Sequence, residues 1–328
     1  MKKTQHILLI LSLLLVSFSC ENKELDLEDY CAPCNKVIRV VVNWDDHDKD
    51  SRVMRINLLS NTTNVDHYGL DDVPESGAKN IQLTENASYW SYCYDYNATN
   101  IYFRNVATCE LFEAYCIQAT RDTYNNLATP VEGEETVAEP GEFYVHSLKD
   151  PFEVEFTPES PDTLILNFCP QNPVREYTFC IRGIKGYKNI QSIRGAISGM
   201  RYIYHFKSAE VVNTPGTILF DSGTAGGTDE TGYITGKFYS FVSASPNKNR
   251  FTIEILSKEN KYLTAYWDVS RQMNESETDR PAKLARDGYD ILIENKTIPE
   301  IPGTTDPDDG NPGFEIGVND WDNVDIFL

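Results

Sequence analysis

The chain predicts an all-β protein built as two β-sandwich halves. Apolar residues recur at every second position, clusters of turn formers separate these runs, and helical periodicity is scarce. In residues 37–44 (VIRVVVNW), Ile38, Val40, Val42 and Trp44 fall on one face. Met54, Ile56 and Leu58 repeat the pattern, and residues 89–96 (YWSYCYDY) align Trp90, Tyr92, Tyr94 and Tyr96. Phe152, Val154 and Phe156 alternate, as do Leu164, Leu166 and Phe168, and then Tyr177, Phe179 and Ile181. Three more strands are expected over 251–256, 262–267 and 289–293. Residues 74–77 (PESG), 170–173 (PQNP) and 245–247 (SPN) are turn chemistry. Helix is expected only over 111–119 and 273–286, the second very polar. Many short strands with regularly spaced turns are the pattern of sandwiches.

From the N-terminus, residues 1–19 read as an export leader: Lys2 and Lys3 start it, and an apolar run from Ile7 to Phe18 ends in Ser17-Phe18-Ser19-Cys20. That run is far shorter than the roughly 20 residues a membrane-spanning helix needs. Small residues before a cysteine suit cleavage and lipid transfer to the thiol, so Cys20 is the expected lipidation site. An ordinary leader with an incidental cysteine is the alternative. Residues 20–35 begin as an acidic tether (ENKELDLED after Cys20). An N-terminal sandwich is expected over 36–160 and a C-terminal one over 161–298, with the boundary in the Pro/Ser/acidic stretch 157–162. Residues 133–141 (GEETVAEPG) read as an acidic insertion, and 222–232 (SGTAGGTDETG) as a loop. Residues 299–313 (PEIPGTTDPDDGNPG) read as an extended linker. The last stretch, 314–328, alternates again: Phe314, Ile316 and Val318, then Val324, Ile326 and Leu328, with Trp321 out of phase as across a bulge. An apolar strand on a linker must join a sheet edge. That edge belongs either to its own domain or, as a donated strand, to a neighbouring subunit.

Charge narrows the partners. The chain carries a net −21, and loss of the leader with its two lysines would make it −23. No basic cluster exists, which argues against nucleic acid and leaves the lipid as the membrane attachment. Besides Cys20 there are Cys31, Cys34, Cys93, Cys109, Cys116, Cys169 and Cys180, an odd number in a compartment that permits disulfides. Cys31-Ala-Pro-Cys34 has redox spacing, but lacks the strand before and helix after that thioredoxin-like chemistry needs. A local disulfide or idle thiols fit it better.

Catalytic and metal constellations are not found. His47, His67, His146 and His205 stand in no HExxH or zinc spacing. From Asp46, carboxylates occupy positions 1, 3 and 5 of a calcium-type loop. Ser51, however, replaces the turn glycine and Asn57 the bidentate glutamate, so a solvated hairpin turn is the better reading. Residues 223–227 (GTAGG) lack the Lys-Ser/Thr of a phosphate loop. No metal, cofactor or catalytic residue is assigned. The aromatic face Trp90/Tyr92/Tyr94/Tyr96 fits either a sugar-stacking platform or a core face, and strand alternation by itself predicts the core.

Taken together, the lipobox-like leader, the acidic tether, RVVVNW, PDTLIL, EYTFCIRGIKG, SIRGAISGM (residues 192–200) and the terminal VNDW resemble the fimbrillin-like lipoproteins of Bacteroidales, which include type V pilus subunits and anchors. The resemblance runs over most of residues 20–328. It implies two tandem transthyretin-like (Greek-key) sandwiches, no catalysis, lipid on Cys20, an outer-membrane or cell-surface location, and other pilus subunits, or the chain itself, as partners of the C-terminal strand. The donor residues would be Phe314, Ile316, Val318, Trp321, Val324, Ile326 and Leu328. Stalk subunits of that family are matured by cleavage after an arginine. Of the early arginines Arg39, Arg52 and Arg55, only Arg52 falls in loop-like sequence, which points to an anchor or accessory member. A surface module binding glycan or host ligand is the competing function.

Overall fold

The computed structural model describes residues 36–44, 53–60, 68–73, 77–83, 87–120, 133–154, 163–228, 230–242, 248–274 and 280–303. They form an almost entirely β structure, as the alternation requires. A three-stranded sheet has β1 (Lys36–Val42) at its centre, antiparallel to β4 (Ala78–Leu83) and parallel to β11 (Thr163–Phe168). It faces a five-stranded sheet. There β5 (Ala87–Tyr94) pairs with β2 (Met54–Ser60) on one side and with both β9 (Val145–Ser147) and β10 (Phe152–Val154) on the other, and β3 (Tyr68–Val73) extends β2. Between the two sheets lie Ile38, Val40, Val42, Met54, Ile56 and Phe168, the apolar phase read from the sequence.

A nine-stranded sheet folds over the second core. Its long strand β13 (Ile190–Arg201) pairs with β19 (Arg250–Ser257) on one side and β16 (Pro215–Phe220) on the other. Arg201 ends β13 by pairing with Phe241 of β18 (Thr231–Phe241). β18 carries β12 (Val174–Ile184) and β17 (Thr224–Thr228). β21 (Ile291–Glu294) adds in parallel to β12, and β20 (Tyr262–Asp268) flanks β19. Phe179 of β12, Phe220 of β16, Phe238 of β18 and Phe251 of β19 stack in the interior, with centroids 5.0 Å apart for Phe179–Phe251 and 5.2 Å for Phe220–Phe238. A small sheet, β6 (Ile101–Arg104), β7 (Glu113–Cys116), β14 (Ile203–His205) and β15 (Glu210–Val211), joins the two halves. Among the described residues, helix is confined to α1 (Ser270–Met273), α2 (Arg280–Ala285) and a 3₁₀ turn at Tyr187–Asn189.

Strand pairing departs from the sequence reading at four places. The boundary expected at 160/161 is crossed both ways: β11 completes the first sandwich, while β7 pairs with β14 and β8 (Glu135–Ala138) runs parallel to β16. The acidic 133–141 segment is therefore part of the second sheet, held by the fully buried Val137. The helix expected over 111–119 is strand β7, with Ala114 and Cys116 turned inward. The loop expected over 222–232 is largely the β17–β18 hairpin. Gly232 lies so close under Tyr187 that a Cβ there would sit 2.3 Å from the ring.

Candidate functional site

The residues expected to act are at the two ends of the chain. Cys20 and the donor residues Phe314, Ile316, Val318, Trp321, Val324, Ile326 and Leu328 lie outside the described residues, as do Cys31, Cys34, Arg52 and residues 45–50. The structure does describe the root from which the C-terminal segment departs.

That root is built on β12. Asp290, at the start of β21, is almost fully buried. Its carboxylate accepts from Arg175 Nη2 (3.0 Å), Lys283 Nζ (3.1 Å) and the backbone N–H of Thr178 (2.9 Å), tying α2 and β21 to β12. A buried carboxylate so satisfied fixes geometry more than it adds stability. After β21, Asn295 makes a side-chain turn: its Oδ1 accepts from Thr297 N (3.0 Å) and Ile298 N (2.7 Å). Ile301 then enters the core at 0% exposure. Its N–H donates to Lys185 O (3.0 Å), and its carbonyl accepts from Asn189 Nδ2 (3.0 Å). Gly186, at φ +69°, makes room, since a Cβ there would be 2.2 Å from Ile301 O. The expected linker is thus shorter at its start: residues 299–303 are bound to the second sandwich, and residues 304–313 lie outside the described residues.

Other candidates resolve into structure. Tyr92 and Tyr94 are buried. Tyr92 packs on Phe112 and Phe206, and Tyr94 on Phe103 and Phe206, while Trp90 is half-buried under Lys207 Nζ (5.1 Å) and Tyr96 half-buried under Arg55, so the aromatic strand is chiefly a core face. It serves the second core, while Tyr89 and Cys93 of the same strand serve the first. Asn57 lies within β2, 1% exposed, donating to Val106 O (3.0 Å), so it is not the last position of a metal loop. No metal-holding cluster occurs among the described residues. Cys93, Cys109, Cys116, Cys169 and Cys180 are free thiols. Burial pushes the Cys93 and Cys116 thiols far up, which withholds the thiolate that redox or nucleophilic work needs. His205 occupies the half-buried strand position expected, with Nε2 2.9 Å from Glu110 O. Arg39 sits in β1 between two paired strands. Arg55 sits in β2, bonded to Asp72 (3.0 Å) and stacked 3.7 Å over Tyr96. Neither peptide is in the unpaired, extended state a protease needs.

Residues 19–221 match a family described as a domain of unknown function, DUF5119. The chain belongs to the DUF5119 family. No curated protein matches it. Among solved structures, a candidate adhesin from Bacteroides ovatus ATCC 8483 is similar over 77% of this chain and 88% of its own, at 17% identity and TM-score 0.55, and so shares the fold. The fimbrial anchor protein Mfa2 from Porphyromonas gingivalis is similar over 73% of this chain and 84% of its own, at 9% identity and TM-score 0.48. These relatives are named as adhesin and fimbrial proteins rather than enzymes.

The DUF5119 match includes residues 192–200 (SIRGAISGM), and their chemistry is architectural. They lie in β13 at the centre of the second sheet. A Cβ at Gly195 would meet Phe220 Cζ at 2.4 Å and Thr252 O at 2.6 Å, and one at Gly199 (φ +73°) would meet Lys248 O at 2.3 Å. Ser198 Oγ accepts from Arg250 N (2.8 Å). The register on β16 shifts between Ile197 and Met200, so these glycines serve a bulge and a close crossing.

Proposed function

We propose that this DUF5119 chain is a lipid-anchored surface protein, a fimbrial anchor or accessory subunit, held to the outer membrane through Cys20 and joined to another subunit through residues 314–328. The observation that carries the reading is the lock at Ile301. The second sandwich closes on the chain near that residue, and the sequence beyond Gly303 is a ten-residue polar linker and then an alternating apolar strand. A strand presented in this way is suited to a partner's sheet edge. Main-chain hydrogen bonds there contribute about 1 kcal/mol net each, and each fully buried apolar side chain about 1.5–3 kcal/mol. The solved adhesin contributes a shared fold; the role comes from the lipobox-like leader, the tail and the paired state of the peptides at Arg39 and Arg55. The surface-glycan alternative loses Tyr92 and Tyr94, which are core, and retains only the half-buried Trp90 and Tyr96.

The test is a photo-crosslinking residue at Ile316 or Val324 in cells, with Cys20→Ala as a second strain. The expected result is crosslinking to a second polypeptide in membrane fractions, lost from the membrane with Cys20→Ala. Crosslinks confined to the chain's own sheets would sink the donated strand, and unchanged membrane attachment in Cys20→Ala would sink the anchor.

A further inference from the structure

The own-chain edge from which the root of the tail departs is β21, and a side chain occupies it. Gln272, in α1, donates from Nε2 to Leu292 O (3.2 Å) and accepts at Oε1 from Leu292 N (2.8 Å). One amide thus satisfies both main-chain groups of Leu292, the second residue of β21, as a neighbouring strand would. α1 is firmly held for this. Val269 before it is 1% exposed, and its N–H donates to Asn249 O (2.9 Å). Ser270 Oγ accepts from Asn249 N (2.9 Å), and Met273 packs on the core.

Distance makes this edge matter. β21 runs along Phe179–Arg182 of β12, and the chain after it is locked at Ile301 beside Lys185, one short step farther on. Residues 304–313 can span up to about 33–36 Å when extended, whereas β21, four residues long, is about 13 Å. A reversal that laid residues 314–328 against β21 is well within reach. Ile291-Leu292-Ile293 is the apolar, β-branched kind of strand that would accept them.

We propose that Gln272 guards the edge of β21 against the chain's own C-terminal strand, and so keeps residues 314–328 available to another molecule. This rests on the donated-strand reading and adds the residue that protects it. Removing the amide leaves Leu292 N–H and C=O without those bonds, a vacancy that a returning strand fills.

The experiment is hydrogen exchange of peptides from residues 314–328 in the full chain, for wild type and Gln272→Ala, across a dilution series. Gln272→Glu serves if the alanine variant misfolds, because it keeps the length but sets an acceptor against Leu292 O. The expected result is fast exchange in dilute wild type and exchange at least about tenfold slower in the variant, independent of concentration. Equally fast exchange in both overturns the guard and leaves the donated strand standing. A tail already protected in dilute wild type overturns both. Protection in the variant that appears only at high concentration overturns the guard, because the edge then takes a strand from a second copy.

Discussion

His146 is held by a backbone amide, and this makes it a titrating weak point. It lies in β9, opposite Cys93 of β5, with its ring edge-on to Phe168 at 5.6 Å. Its Nδ1 is 2.7 Å from the N–H of Cys169 and accepts from it, so Nδ1 is unprotonated and the tautomer is fixed by the main chain. Burial lowers the pKa from its ordinary value of 6.5. On lowering the pH, the unfolded chain takes up the proton first, so this contribution is complete above pH 6.5 and is lost as pH falls through the lowered value. The urea midpoint is expected to drop between pH 7 and 5, and His146→Gln to flatten that drop. A midpoint that is level in wild type, or equally steep in the variant, would refute it.

At the scale of elements, what could be read from sequence was whatever its own side chains announce. Strands β1, β2, β12, β19 and β20 alternate strongly and lie where alternation puts them. β8 has one buried apolar residue, Val137, in an acidic run, and its reason for being a strand is the edge of β16 some eighty residues later. β17 (TAGGT) has no apolar phase; small residues let it lie against β18. Around β7 the short apolar spacing of Leu111, Ala114 and Cys116 fits a helix as well as a strand, and pairing of β7 with β6 and β14 decides. At the candidate site, Ile301 between two prolines reads as linker, because its pocket is made by residues 185–189. The motif in β13 was legible as a pattern, and its cause is steric. Gly195→Ala is therefore expected to cost about 1–3 kcal/mol by overpacking against Phe220 and Thr252. Ser192→Ala, at an exposed position in the same strand, is the control. Denaturant titration of the two variants checks it, and equal midpoints would mean that β13 can shift to admit the methyl.

Across the whole molecule, the two sandwiches are coupled through rings. Phe206, just after β14, stacks on Phe112 at 3.9 Å with planes 5° apart. It also touches Tyr92 (5.5 Å) and Tyr94 (5.2 Å) on the outer face of the first sandwich. On its other side it meets Tyr204, which reaches Phe143, and Phe143 reaches Phe241 of β18. One apolar core thus runs from Leu59 of β2 to Ile301 at the root of the tail. In the role proposed above, a pull at Ile301 would be passed through this core as far as Leu59 of β2 instead of being borne by the tail's root alone. Such coupling makes unfolding cooperative. Trp44 reports the first sandwich and Trp267 the second, and both are expected to lose their folded environments in one thermal transition. Phe206→Ala should cost about 3–5 kcal/mol and split the calorimetric trace, since it removes the ring that the two halves share. Two separate transitions in wild type would mean that the halves unfold independently, and a single transition of unchanged midpoint in Phe206→Ala would mean that the crossing strands β7, β8 and β11 couple them instead of the rings.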